Sequence, residues 1–167
     1  MRLTMKAAVA AGMAVAASAA GAQDVRRIGP ADFPLSSSVA IPADTRIVYV
    51  SGTVPDAVDQ AAPAGSVQRF GDTAAQTRSV LKKIEAELKQ HGLGLGDIVM
   101  MRIFLVAPPG QHRMDFAGMM TAYREFFGTA AQPNRPARST MQVAGLVDPG
   151  WLVEIEATAA ARPRETR

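Results

Sequence analysis

The spacing of apolar positions along the chain changes period several times, and each change marks an element. Residues 47–51, Ile-Val-Tyr-Val-Ser, are β-branched and aromatic and stop at Gly52, which predicts a strand. "SSSVAI", residues 36–41, predicts a shorter strand before it, and residues 23–34 read as a lead-in. Residues 54–71 are rich in Pro, Ala, Asp and Gly and predict a surface loop. The period then lengthens. Val80, Leu81, Ile84 and Leu88 recur at helical spacing, Glu85 stands four residues before Lys89, and Gly92 is a natural stop. Thr73-Ala74-Ala75-Gln76 supplies a capping-box start for this helix. Ile98 to Val106, "IVMMRIFLV", is apolar except for Arg102, the pattern of a central strand covered on both faces. After "APPG", Asp115 caps a second predicted helix, with Phe116, Met119, Met120, Tyr123 and Phe127 along one stripe and Gly128 at its end. "ARSTMQV" (137–143) and "WLVEIEATA" (151–159) predict two more strands around a turn at "VDPG". The order ββαβαββ points to an α+β two-layer domain.

The N-terminus follows another rule. Arg2 and Lys6 precede an alanine-rich apolar run, residues 7–20, and Ala20-Gly21-Ala22 is a small-x-small cleavage site before Gln23. This is the pattern of a secretory signal peptide over residues 1–22, and it implies a periplasmic or secreted mature chain with no stable membrane association. The run is shorter and weaker than the roughly 20 strongly apolar residues of a membrane span. The alternative is a disordered or weakly anchoring N-terminus. The remainder, 23–167, suits one domain.

Loss of the leader changes the charge argument. Of 18 Lys and Arg, Arg2 and Lys6 leave with it, so 16 stand against 15 Asp and Glu, a net charge near +1. A whole-chain pI of 9.7 is therefore weak support for a nucleic-acid partner. Arg162, Arg164 and Arg167 read as a solvated tail. The absence of cysteine removes disulfide and thiolate chemistry, and two histidines, His91 and His112, cannot build a histidine-rich metal site. His91 reads as an exposed helix-end residue and His112 as a loop residue.

Candidate chemistry centres on "NRPARST", residues 134–140. Side chains alternate along a strand, so Arg138, Thr140 and Gln142 share one face, while Glu154 and Glu156 share a face of the last strand. One reading is an outward, solvated sheet face. The other is a pocket in which the guanidinium grips a carboxylate through two parallel hydrogen bonds, with a glutamate nearby to handle a proton or a water. Were the last two strands a hairpin turning at Asp148-Pro149, Arg138 and Glu154 would lie ~16 Å apart along it. Either the strands are not direct partners or the site is shared between subunits. The apolar strand 98–106 also asks for more cover than two helices give, so an oligomer is expected.

Other motifs are weak. Ser79-Val80-Leu81-Lys82 matches S-x-x-K but lies inside a helix with no S-D-N or K-T-G after it. "GLGLG", residues 92–96, follows a helix rather than a strand and reads as a stop and turn. Met119 and Met120 read as core or interface filler.

"VYVSG", "AAQTRSVLKKIEAEL", "LGDIVMMRIFL", "DFAGMMTAYREFF", "QPNRPARS" and "PARSTMQVAGL…LVEIEATA" together resemble the reactive-intermediate deaminase family (Rid, or YjgF), from about Pro34 to Ala160. The resemblance implies a chorismate-mutase-like α+β fold: a mixed sheet with two helices on one face, assembled as a homotrimer with ligand clefts between subunits. It implies hydrolysis of enamine and imine intermediates, such as 2-aminoacrylate and 2-iminopropanoate, to 2-oxo acids and ammonia without a cofactor. By position, the family's carboxylate-gripping arginine falls on Arg138 and its water-placing acid on Glu154. Thr140 replaces a common cysteine and keeps its backbone carbonyl. The ligand-touching backbone falls on Ser51 and Gly52. Leu35 stands where a tyrosine is usual and Met120 where an asparagine is, so the pocket is expected to be more apolar and to accept larger substrates.

Export sits awkwardly with this activity, because 2-aminoacrylate arises from pyridoxal-phosphate dehydratases, which are usually cytoplasmic. A second reading is therefore a non-catalytic binder of small carboxylates or a holdase-like protective protein. RNA cleavage, a third, finds no basic stripe to support it.

Overall fold

The computed structural model describes residues 24–161, so the leader expected over residues 1–22 and the late arginines lie outside the described residues. Among the described residues six strands and three α-helices follow in order, with a short 3-10 turn (Leu95–Asp97) before the fourth strand: β1 (Arg26–Ile28), β2 (Ser38–Ala40), β3 (Arg46–Thr53), α1 (Val67–Phe70), α2 (Thr73–Gln90), β4 (Ile98–Leu105), α3 (Phe116–Tyr123), β5 (Ala137–Gln142) and β6 (Val153–Ala161). β3, β6, β4 and β5 form one mixed sheet in that order, and β1 and β2 form a separate hairpin.

The order of the main sheet follows from the strands' composition. Val153, Ile155, Ala157 and Ala159 of β6 are all buried, and β6 lies between β3 and β4, antiparallel to both. β5, "ARSTMQ", has no such face and takes an edge, parallel to β4. The last two strands are therefore not a hairpin: β4 separates them. Met101, Ile103 and Leu105 of β4 are fully buried and join Val80, Leu81, Ile84 and Leu88 of α2 and Met119, Met120 and Tyr123 of α3 in one core. The apolar stripe of α2 is the one expected.

β4 departs from the expectation of cover on both faces. Both helices lie on one side of the sheet. On the other side Arg102 pairs with Glu156 at 3.2 Å, Met100 and Phe104 are half-buried, and Tyr49 is 79% exposed.

Several boundaries also differ. The N-cap of α2 is Asp72 rather than Thr73: its carboxylate accepts from the Ala75 N–H at 2.8 Å, while Thr73 is buried inside the helix. Thr73 is only the first helical residue because the Gln76 amide that it would cap already donates to the Asp72 carbonyl at 2.9 Å, and a carboxylate is the better cap at the helix start. α3 ends at Tyr123, earlier than expected, because the Glu125 and Phe126 amides bond three residues back, to Ala122 and Tyr123, which tightens the last turn. Gly128, at φ +72°, closes that turn. The lead-in carries β1, and the loop before α2 carries α1; both are too short to show a period.

Gln76 joins the layers. Its fully buried side chain donates to the Gly71 and Gly150 carbonyls, both at 2.9 Å, and accepts from the Leu152 N–H at 2.7 Å. The start of α2 is thus tied to the entry of β6. Gln76→Ala leaves these backbone groups buried and unpaired and is expected to lower stability by about 3 kcal/mol, read as a fall in the urea midpoint at unchanged m-value.

Candidate active site at the β5 edge

β5 presents its residues to two faces. Arg138 stands opposite Met101, and Thr140 opposite Ile103, so both point to the helix side. The Arg138 guanidinium enters a pocket made by α3. Its Cζ lies 4.4 Å from the Tyr123 ring centroid and 5.9 Å from that of Phe116. Its Nη1 lies 3.2 Å from Met120 Sδ and 3.9 Å from Met119 Sδ. Thioethers and ring faces hold a cation only weakly. Among the described residues no carboxylate pairs with Arg138, and its Nε is buried with no hydrogen-bond partner. Burial lowers the guanidinium's pKa, the nearby Tyr123 hydroxyl opposes that, and the positive charge of Arg124 adds to it. Burial also pushes the Tyr123 phenol up, against the influence of Arg138, so it stays protonated. The two groups sense each other electrostatically, yet the Tyr123 hydroxyl, like Thr140 Oγ1, is buried without a partner of acceptable hydrogen-bond geometry. Three unsatisfied polar groups on neighbouring side chains are an unusual concentration.

Glu154 lies elsewhere. It stands opposite Phe104 on β6, on the face that the helices leave uncovered. Arg138 is two strands away and three residues along, about 14 Å at ordinary strand spacing, and on the other face. One chain therefore does not bring Arg138 and Glu154 together. Glu154 instead lies against Gly52. The β3–β6 register shifts between Val50 and Thr53, which marks a bulge at Ser51 and Gly52. A Cβ on Gly52 would collide with Glu154 Oε1 and stand 3.0 Å from its carboxyl carbon. Absence of a side chain at Gly52 is what lets the carboxylate lie against the β3 backbone.

The residues singled out in the sequence thus form two half-sites. Arg138, Thr140 and Met120 cluster at the β5 edge. Ser51, Gly52 and Glu154 cluster at the β3 bulge, where residues 49–54 line a cavity of about 490 Å³ with Lys83 and Glu87. Leu35 is half-buried in the lead-in, between buried Pro34 and Ser36. Met120 is core filler as read, but its sulfur also touches Arg138. Tyr123, Phe116 and Met119 were legible as a helix stripe. Their service as walls of the Arg138 pocket was not, because it depends on where β5 docks.

Comparison with known proteins places the chain. The family model described as Endoribonuclease L-PSP matches residues 30–161. The 3-aminoacrylate deaminase RutC of Acinetobacter baylyi is 37% identical over 126 residues, 75% of this chain and 88% of the relative. The 2-iminobutanoate/2-iminopropanoate deaminase of Salmonella typhimurium is 35% identical over 116 residues, 70% of this chain and 80% of the relative. The solved structure of a Rid-family protein, YyfB of Yersinia pestis, shares the fold with a TM-score of 0.61 at 24% identity, covering 82% of this chain and 98% of that one. The chain belongs to the Rid (YjgF) family.

The contact between Gly52 and Glu154 can be checked directly. Gly52→Ala is expected to keep the fold, at a cost of about 1 kcal/mol for a displaced Glu154 rotamer. The side-chain carboxyl carbon resonance of Glu154 should move; an unmoved resonance would count against the contact.

Proposed function

We propose that the protein hydrolyses imine and enamine forms of small 2-amino acids, such as 2-iminopropanoate, to the 2-oxo acid and ammonia. The observation that carries this reading is the Arg138 guanidinium, partly buried among thioethers and rings and without a carboxylate partner among the described residues. A substrate carboxylate satisfies it with a bidentate fork. The names of the two deaminase relatives support the reaction class.

The half-sites meet in this proposal through a homotrimer. The sheet has two unpaired edges, β3 and β5. Setting β5 of one copy beside β3 of the next is a head-to-tail contact, and such contacts close into rings when the rotation permits. It would carry Arg138 and Thr140 of one subunit to Ser51, Gly52 and Glu154 of its neighbour. It would also cover the exposed face around Tyr49. Sedimentation of the chain from Gln23 at micromolar concentration is expected to give a trimer, and a monomer would sink the shared cleft.

Within the cleft Arg138 fixes the carboxylate, and that orientation itself lowers the barrier. An enamine first takes a proton at carbon to become the imine. Water held by Glu154 and the Thr140 carbonyl then attacks the imine carbon. Glu154 accepts one water proton and passes it to the nitrogen, giving the carbinolamine. Its hydroxyl proton then moves to the amino nitrogen as the C–N bond breaks, the C=O forms and ammonia leaves. Water is the only co-reactant. Met120 and Leu35 give the site an apolar wall, so imines with larger side chains are expected to be turned over better than the smallest ones. Export of the mature chain after cleavage at Ala22 belongs to the same reading.

The test uses imines generated from several amino acids by an amino-acid oxidase and trapped with semicarbazide. The protein should speed loss of the semicarbazone signal, and Arg138→Ala should abolish the effect. Arg138→Lys keeps the charge without the fork and is expected to lower kcat/KM at least ~100-fold, about 2.7 kcal/mol. A trimer inactive on every imine would instead favour a carboxylate-binding or protective role.

A further inference from the structure

Two residues before β5, Arg135 does something the catalytic reading does not use. Its Nη1 donates to three carbonyls of the lead-in: Pro30 at 2.9 Å, Ala31 at 2.8 Å and Phe33 at 2.7 Å. The contact is reciprocal. Ser36, 4% exposed, donates its hydroxyl to the Arg135 carbonyl at 2.7 Å, and its amide donates to the Pro136 carbonyl at 2.9 Å. Residues 30–36 and 135–136 are thus sewn together from both sides. A two-stranded hairpin such as β1–β2 is marginal alone, so it depends on its anchors. Arg27 is a further side-chain anchor and donates to the Gly96 and Ile98 carbonyls at 3.0 and 3.3 Å. Leu35 immediately precedes Ser36, and Arg138 lies two residues beyond Pro136. The Ser36–Pro136 hydrogen bond therefore ties the residue after Leu35 to the residue two before Arg138.

We infer that Arg135 is a positioning residue: a latch that holds the lead-in against the start of β5 and sets where the Leu35 wall stands relative to Arg138. The latch acts on the side-chain end of the substrate and leaves the carboxylate end alone. Arg135 gathers three carbonyls of an exposed segment onto one cation, and beyond the Phe33 amide on the Pro30 carbonyl that segment has few ties of its own, so losing Arg135 releases it. This inference rests on the imine-deaminase reading for its effect on turnover, but not for the latch itself.

Two measurements separate these. Hydrogen exchange on Arg135→Ala should show the Ser36 and Ser37 amides exchanging at least ten-fold faster, with β4 and β6 unchanged. Arg135→Lys, which keeps several donors on one nitrogen, should restore most of the protection. Unchanged exchange at Ser36 and Ser37 overturns the latch. In the semicarbazone assay, Arg135→Ala should raise KM about ten-fold for the imine from leucine, and change kcat/KM for the imine from alanine less than two-fold. In a Leu35→Ala background the same substitution should add less than two-fold, because both act through one wall. An equal loss on both imines, or full additivity with Leu35→Ala, overturns the positioning role. Should the wild type turn over no imine, the deaminase reading fails with that role, and the exchange data alone decide the latch.

Discussion

The position of β6 between β3 and β4 is the constraint from which the rest follows. Its alternating apolar residues make a face that must be covered, and the centre of the sheet under α2 is where that cover exists. With β6 central, β5 is left to an edge, and it pairs on the far side of β4 in the parallel sense. That sends Arg138 to an edge, under α3. It also turns Glu154 to the face that no helix covers. The separation of the two chemical groups is thus a consequence of how the core is packed.

The same packing explains why the Arg138 pocket is left wanting. α3 is short and apolar, and it meets β5 with Phe116, Met119, Met120 and Tyr123. These side chains take part of the guanidinium, its Nε above all, out of water without replacing the hydrogen bonds water would make. A charge in that state gains when an anion arrives. In the proposed reading that gain is what makes the site select carboxylates. On the opposite edge, the β3 bulge and the bare Gly52 backbone hold Glu154 ready against main chain. Each half is incomplete by its own chemistry, which is why an assembly joining β5 to β3 is the economical reading of both.

Arg102 and Arg135 show how differently one residue type is used within this small domain. Arg102 interrupts the apolar run of β4 and pairs with Glu156 on the open face. Arg135 crosses to three loop carbonyls and secures a segment that the sheet does not hold. Arg138, three residues on, has neither kind of partner. Net charge and pI average over these fates and describe none of them.

Much of the fold was written in local pattern. The stripe Val80, Leu81, Ile84 and Leu88 required a helix, the β-branched run at 47–51 required a strand, and alternation put Arg138 and Thr140 on one face. These follow because periodicity is a property of neighbouring residues. Family resemblance singled out Arg138 and Glu154 as a pair, but alternation within each strand could not say that the two faces are opposite. That depends on which strand lies between them, a matter of long-range pairing. The Asp72 cap, the short end of α3 and the Arg135 latch were hidden for the same reason: each is a competition between partners distant in sequence or close in energy. What the sequence by itself determined was the long strands and helices and the candidate residues of the site. What only the tertiary structure decided was their order in the sheet, because burial of β6 outweighs the local turn that would have paired it with β5.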